Sequence, residues 1–142
     1  MDKKELTYRL DKLTSVIVRN IEDRCATCGK KLLKKQRQAG HFIPRVVKQT
    51  RWDLTNVHVQ CAHCNVELDG NYEKYKEFIL DHYGESMLNV LLLTRELYNS
   101  GKLKDVSRKD MLDRYDDYLE NLRNIEKFPG EFVPVEWEKY RK

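Results

Sequence analysis

The apolar positions along this chain repeat with two periods, and the change between them marks its parts. Within residues 3–20, Leu6, Leu10, Leu13 and Ile17 recur at steps of four, three and four, with Lys3, Lys4, Arg9 and Lys12 elsewhere. That is one packing face of a helix, although Val16-Ile17-Val18 leaves open an extended end. Over residues 54–60 the period drops to two. Polar Asn56, His58 and Gln60 share a parity, which predicts a strand with one apolar and one polar face. Phe42 and Ile43 favour extended backbone before Pro44, so they predict a first strand, with residues 49–53 as the loop of a hairpin. Lys30 to Ala39 reads as a basic loop or loose strand.

The pattern turns helical from Cys61 or Cys64, breaks at Gly70-Asn71 and resumes over residues 72–80. A further helix over residues 86–99 offers Met87, Leu88, Leu91, Leu92 and Tyr98 for burial and stops at Asn99-Ser100-Gly101. Ser107 with Asp110 predicts the cap of a last helix. Its stripe Met111, Tyr115, Tyr118, Leu122 and Ile125 is the narrow seam of a helix pair, within the chain or across a homodimer. The tail from Phe128 carries two prolines and is expected to lie extended over the surface. The expected fold class is α+β, mostly α: an N-terminal helix (1–24), a metal-pinned hairpin-and-helix core (25–83) and a C-terminal helical region (84–142) that could serve as a dimerisation element.

Cysteine spacing changes that picture most. All four thiols fall in two knuckles, Cys25-x-x-Cys28 and Cys61-x-x-Cys64, separated by 32 residues. Each knuckle lets two sulfurs converge on one ion, and four thiolates make a closed structural Zn²⁺ site. The longest apolar run, Val90-Leu91-Leu92-Leu93, is far below the ~20 residues a membrane span needs, so no membrane partner is expected. The first residues show no apolar signal segment, which points to a cytoplasmic chain whose thiols stay reduced.

Charge adds a partner. The net charge is only +4, yet from Arg24 to Trp52 there are nine basic residues and no acid. Lys30, Lys31, Lys34, Lys35, Arg37, Arg45, Lys48 and Arg51 are the expected phosphate contacts of a nucleic-acid surface. Residues 105–126 are acidic by contrast, seven acids to four basic residues. Three of the four histidines, His41, His58 and His63, lie close to the cysteines. His63, inside a knuckle, reads as a solvent-facing or supporting residue, and His82 as a helix-end residue favoured by the dipole.

A hairpin plus helix with Gly40-His41, Asn56 and Cys61-Ala62-His63-Cys64-Asn65 resembles the HNH, or ββα-metal, endonucleases. The resemblance implies that His41 takes a proton from water, Asn56 orients it, and Asn65 holds a catalytic Mg²⁺ or Mn²⁺. Gly40 stands where many such enzymes place an Asp ligand, so the expected substitute is His58 or Asp69, or else Asn65 serves alone with phosphate oxygens, with His41 itself also near the ion. Over roughly residues 10–122, Cys25-Ala26-Thr27-Cys28-Gly29, Ala39-Gly40-His41-Phe42, residues 56–65 and Gly70-Asn71-Tyr72 look like the NinG (Rap) recombination proteins of lambdoid phages. That resemblance implies a dimeric endonuclease of phage or prophage origin, acting in a bacterial host on branched DNA such as Holliday junctions and D-loops. The competing expectations are a non-catalytic zinc DNA-binding module and an HNH nuclease of ordinary duplex.

Overall fold

A computed structural model describes residues 1–124, so Ile125 of the apolar stripe and the tail from Phe128 lie outside the described residues. Asp2 begins the first helix by accepting the Glu5 backbone N–H at 2.8 Å. Helix α1 spans Lys3–Ile21 and continues through Val16-Ile17-Val18, so the extended end that the sequence leaves open does not form. Its stripe of Leu6, Leu10 and Leu13 is fully buried.

Strands β1 (Gln38–His41) and β2 (Val57–Gln60) form a two-stranded antiparallel sheet, with Gly40 opposite His58 and His41 opposite Val57. The first strand therefore ends where the sequence predicted it to begin. The Asn56 side chain explains the shift. It accepts the Ile43 N–H at 2.7 Å and donates to the Ile43 carbonyl at 3.0 Å, so both groups are withdrawn from the ladder. The loop between the strands holds a short helix α2, Lys48–Arg51.

The polar parity of β2 is no solvent face. Asn56 and Gln60 are 0% exposed and His58 3%. Helix α3 (Tyr72–Tyr83) covers His58 and Asn56, with the Tyr75 hydroxyl donating to the Gly40 carbonyl at 2.7 Å, while Gln60 bonds Thr27 Oγ1 and the Gly70 carbonyl. Helix α1 contacts both strands as well. Helix α4 (Glu85–Asn99) packs on α3, and Phe42, Ile43, Val47, Tyr75, Ile79, Leu88 and Leu91 form their shared core.

Ser107 caps α5 (Arg108–Asn124) by accepting the Asp110 N–H at 3.0 Å. Met111, Tyr115 and Tyr118 of its seam pack with Leu6, Leu10, Leu13, Ile17 and Trp52. The seam is thus the intramolecular alternative: α1 of the same chain occupies the face considered for a dimer. Packing also crosses the expected boundaries, because α4 shares its core with the hairpin loop while α5 returns to α1. The molecule is mostly helical α+β, with a small sheet and a four-cysteine cluster. No helix among the described residues is long and apolar enough to cross a membrane.

Candidate functional site

The first cysteine knuckle is a tight backbone turn. Cys25 N–H donates to Lys30 C=O at 2.9 Å and Gly29 N–H to Cys25 C=O at 2.8 Å, with Gly29 at φ +78. The second knuckle follows β2 directly and runs into a π-helical turn, His63–Glu67. The four sulfurs lie within 4.8 Å of one another, and Cys28 and Cys61 are 3.9 Å apart. A tetrahedron of Zn–S bonds near 2.3 Å requires sulfurs about 3.8 Å apart, so the cluster fits such an ion.

Its electrostatics ask for a cation. Burial opposes ionisation of Cys25, yet the Thr27 hydroxyl and the backbone N–H groups of Cys61, Cys28 and Thr27 pull its pKa down to about 6. Burial and the Cys25 charge push Cys28 up to about 12, and burial raises Cys64 as well. Four adjacent thiols cannot all ionise unless a metal holds them. Asn71, left-handed at φ 51, donates Nδ2 to Cys64 Sγ at 3.6 Å, which gives the Gly70-Asn71 break a role at this cluster.

His41 lies at the end of β1, half-buried. Its Nε2 is 2.8 Å from the Arg51 carbonyl. A carbonyl only accepts, so Nε2 carries the proton and Nδ1 keeps a free lone pair. Burial, with Arg45 and Arg51 adding to it, pushes the His41 pKa down to about 4. The imidazole is therefore neutral at pH 7. His41 lines a cleft of about 520 Å³ together with Arg45, Asn65, Asp69, Tyr72 and Arg95.

Asn56 is fully buried and does not touch His41. Besides Ile43 it donates to the Thr50 carbonyl at 3.1 Å, one residue before the carbonyl that holds the imidazole. Its side chain is tied to the loop next to Arg51 and makes no hydrogen bond to the His41 ring. Asn65 donates Nδ2 to Gln38 Oε1 at 2.9 Å, which leaves its own carbonyl oxygen as a hard donor in the cleft.

His58 does not join this group. Strand alternation places it with Gly40, opposite to His41. Its Nδ1 meets Glu22 Oε2 at 2.8 Å and its Nε2 the Thr55 carbonyl at 3.1 Å, so neither nitrogen is left for a metal or a water. Asp69, the other residue considered for that place, does line the cleft. His63 is exposed beside Glu67 at 3.1 Å, and His82 stacks on Phe78 in the last turn of α3.

The basic block does not form one continuous footprint. Lys30, Lys31 and Lys35 are exposed beside the first knuckle, while Lys34 bonds Asn20 and Arg37 donates to the Arg19 carbonyl at 2.9 Å. Arg51 forks onto Asp11 at 2.9 and 2.7 Å, and Arg45 reaches the same carboxylate at 2.9 Å. Burial works to raise the Asp11 pKa, but bonds from Arg51 and Trp52 hold it below the ordinary carboxylate value. Lys48 lines a separate cleft with Asp110 and Asp117 of α5. Sequence reasoning missed Asp11, Tyr72 and Arg95. Asp11 could have been suspected as an acid on α1 facing a block of bases, whereas nothing in the pattern of α4 distinguishes Arg95.

The family described as Bacteriophage Lambda NinG protein matches residues 3–128. Protein ninG of Escherichia phage 933W is 27% identical over 101 residues, covering 70% of this chain and 48% of that protein; protein ninG of Escherichia phage lambda shows the same figures. Protein ninG of Salmonella phage P22 is 34% identical over 61 residues, 42% of this chain and 30% of that protein. The chain thus spans about half the length of the curated relatives it matches over 101 residues. No solved structure matches. On the match across nearly its whole length, this chain belongs to the NinG family of bacteriophage proteins.

Proposed function

We propose that the chain is a metal-dependent DNA endonuclease of the HNH type that cuts branched recombination intermediates. The observation that carries the reading is His41: neutral, fixed as the Nε2–H tautomer by the Arg51 carbonyl, and lining one cleft with Asn65 and Asp69. In this reading Nδ1 takes the proton of a water that attacks a phosphodiester, the task of a general base. Arg51 is held by Asp11, so the acceptor of the Nε2 proton stays in place as charge develops on the ring. Asn65 Oδ1 and the Asp69 carboxylate are oxygen donors of the kind Mg²⁺ or Mn²⁺ prefers. Such an ion would stabilise charge on the phosphate and the leaving oxygen.

Cys25, Cys28, Cys61 and Cys64 would hold Zn²⁺ as a closed structural site, without a part in the chemistry. Preference for Holliday junctions and D-loops, and phosphate contact by Lys30, Lys31 and Lys35, rest on the family resemblance and the charge pattern.

The test is cleavage of a labelled four-way junction beside a matched linear duplex, with and without Mg²⁺. His41→Gln keeps an N–H at the position that meets Arg51 and removes the base. Cleavage is expected to fall by about 10²–10⁴-fold while the melting curve stays that of the parent. Unchanged cleavage by His41→Gln would remove the assignment. Equal cutting of both substrates would favour a nuclease of ordinary duplex, and binding without cutting under any divalent metal a zinc DNA-binding module.

A further inference from the structure

We propose that Arg95 of α4 is a phosphate-binding residue of the His41 cleft, gripping the DNA backbone beside the bond to be cut. The inference rests on the reading of DNA as the ligand. Arg95 lines the same cleft as His41 and Asn65, although it comes from the helical region after the hairpin core.

The side chain is built into place. Its guanidinium carbon sits 5.3 Å from the centre of the Tyr72 ring, and Nη2 donates to the Tyr72 hydroxyl at 3.3 Å. Tyr72 in turn stacks on Phe42, with centroids 5.3 Å apart and planes at 10°. Phe42 follows His41 directly, so the column Arg95–Tyr72–Phe42 ties the cation to the strand that carries the base. A stacked guanidinium gives up little further freedom on binding, and its planar fork matches two phosphate oxygens.

The charge is also available. Among the described residues Arg95 meets no carboxylate, only Tyr72. Its neighbour in the cleft, Arg45, is already bonded to Asp11. An unpaired, pre-stacked arginine in a cleft is matched by an oxyanion, and a phosphodiester offers one at each nucleotide.

The experiment measures binding, not cutting: anisotropy of a labelled four-way junction in buffer without added Mg²⁺, over a salt series from about 50 to 200 mM. Arg95→Gln is expected to weaken binding by about tenfold and to reduce the slope of log K against log salt by about 0.9, the loss of one phosphate contact. Arg95→Lys is expected to restore the slope but not the affinity, because it keeps the charge and loses the fork. Lys102→Gln, which removes the same charge from a residue outside the cleft lining, serves as the control. An Arg95→Gln protein with the parental slope and affinity, or an effect no larger than that of Lys102→Gln, would overturn the inference. If the parent binds no DNA, the inference falls together with the reading beneath it. If the parent binds but never cuts, and Arg95→Gln still loses the contact, the nuclease reading falls alone and the arginine assignment stands.

Discussion

Gly40 shows how one absent side chain shapes this site. A Cβ at position 40 would lie 1.9 Å from Gln60 Oε1 and 2.7 Å from Gln60 Cδ. Gln60 cannot easily retreat, since it is fully buried and its Nε2 donates to Thr27 Oγ1 at 3.0 Å and the Gly70 carbonyl at 2.9 Å. The residue before His41 must therefore be glycine here, and an aspartate ligand at that position has no room. Among the residues lining the cleft, Asp69 is the one that carries a carboxylate. Gly40→Ala is expected to cost about 2–4 kcal/mol through overpacking and the loss of one or both Gln60 bonds. In urea denaturation the double change Gly40→Ala with Gln60→Ala should cost clearly less than the sum of the two single changes. Strict additivity would show that the two side chains do not compete for one space.

At the scale of elements, the hairpin loop is held by Asn56 rather than by the ladder. Three buried backbone groups, the Ile43 N–H and the Ile43 and Thr50 carbonyls, depend on this one amide. Asn56→Ala strands all three and should lower stability by about 2–4 kcal/mol. Asn56→Asp keeps the acceptor but sets an oxygen against two carbonyls, so it should do no better. Hydrogen exchange at the Ile43 amide is the local readout, and protection there unchanged by either variant would rule out the staple. The same loop marks the limit of what the sequence disclosed. Helices α1, α4 and α5 were legible because their apolar stripes and the Ser107 cap are local signals, and the four cysteines because knuckle spacing is geometric. The end of β1 and the burial of Asn56, His58 and Gln60 were not. A polar parity looks the same under water as under α3 and the Gly70 turn, and only the tertiary cover distinguishes the two. His41 and Asn65 were singled out from the motif, while Arg95 became visible only through its stack on Tyr72.

For the whole molecule, the cysteine cluster sits where the end of α1, the sheet and the start of α3 meet. Cys25 and Cys64 belong to a core with Val18 of α1, Leu32, and Val57 and Val59 of β2. The knuckles thus fasten the end of α1 to the strand that faces His41 and, through Asn71, to the start of α3. The layer of α1 with α5 has an apolar core of its own around Leu10, Trp52 and Tyr115, and α3 with α4 has another around Tyr75 and Leu91. Removing a metal held by the four cysteines should therefore act unevenly. Chelation strong enough to strip a four-thiolate site is expected to abolish cooperative melting of the sheet region, since structural zinc sites contribute on the order of 10 kcal/mol to folding. Helical circular dichroism should fall only in part, because α1–α5 keeps its own contacts. Withholding Mg²⁺ is expected to leave the melting temperature unchanged, because Asn65 is held by its bond to Gln38 Oε1 without an ion. Cys28→Ser and Cys61→Ser should reproduce the chelated behaviour, and His41→Gln should not. A chelated protein that melts like the untreated one would show that the four thiols need no metal to hold this fold. Equal loss on withholding Mg²⁺ would show that the fold depends on Mg²⁺ as much as on the metal of the cysteine cluster.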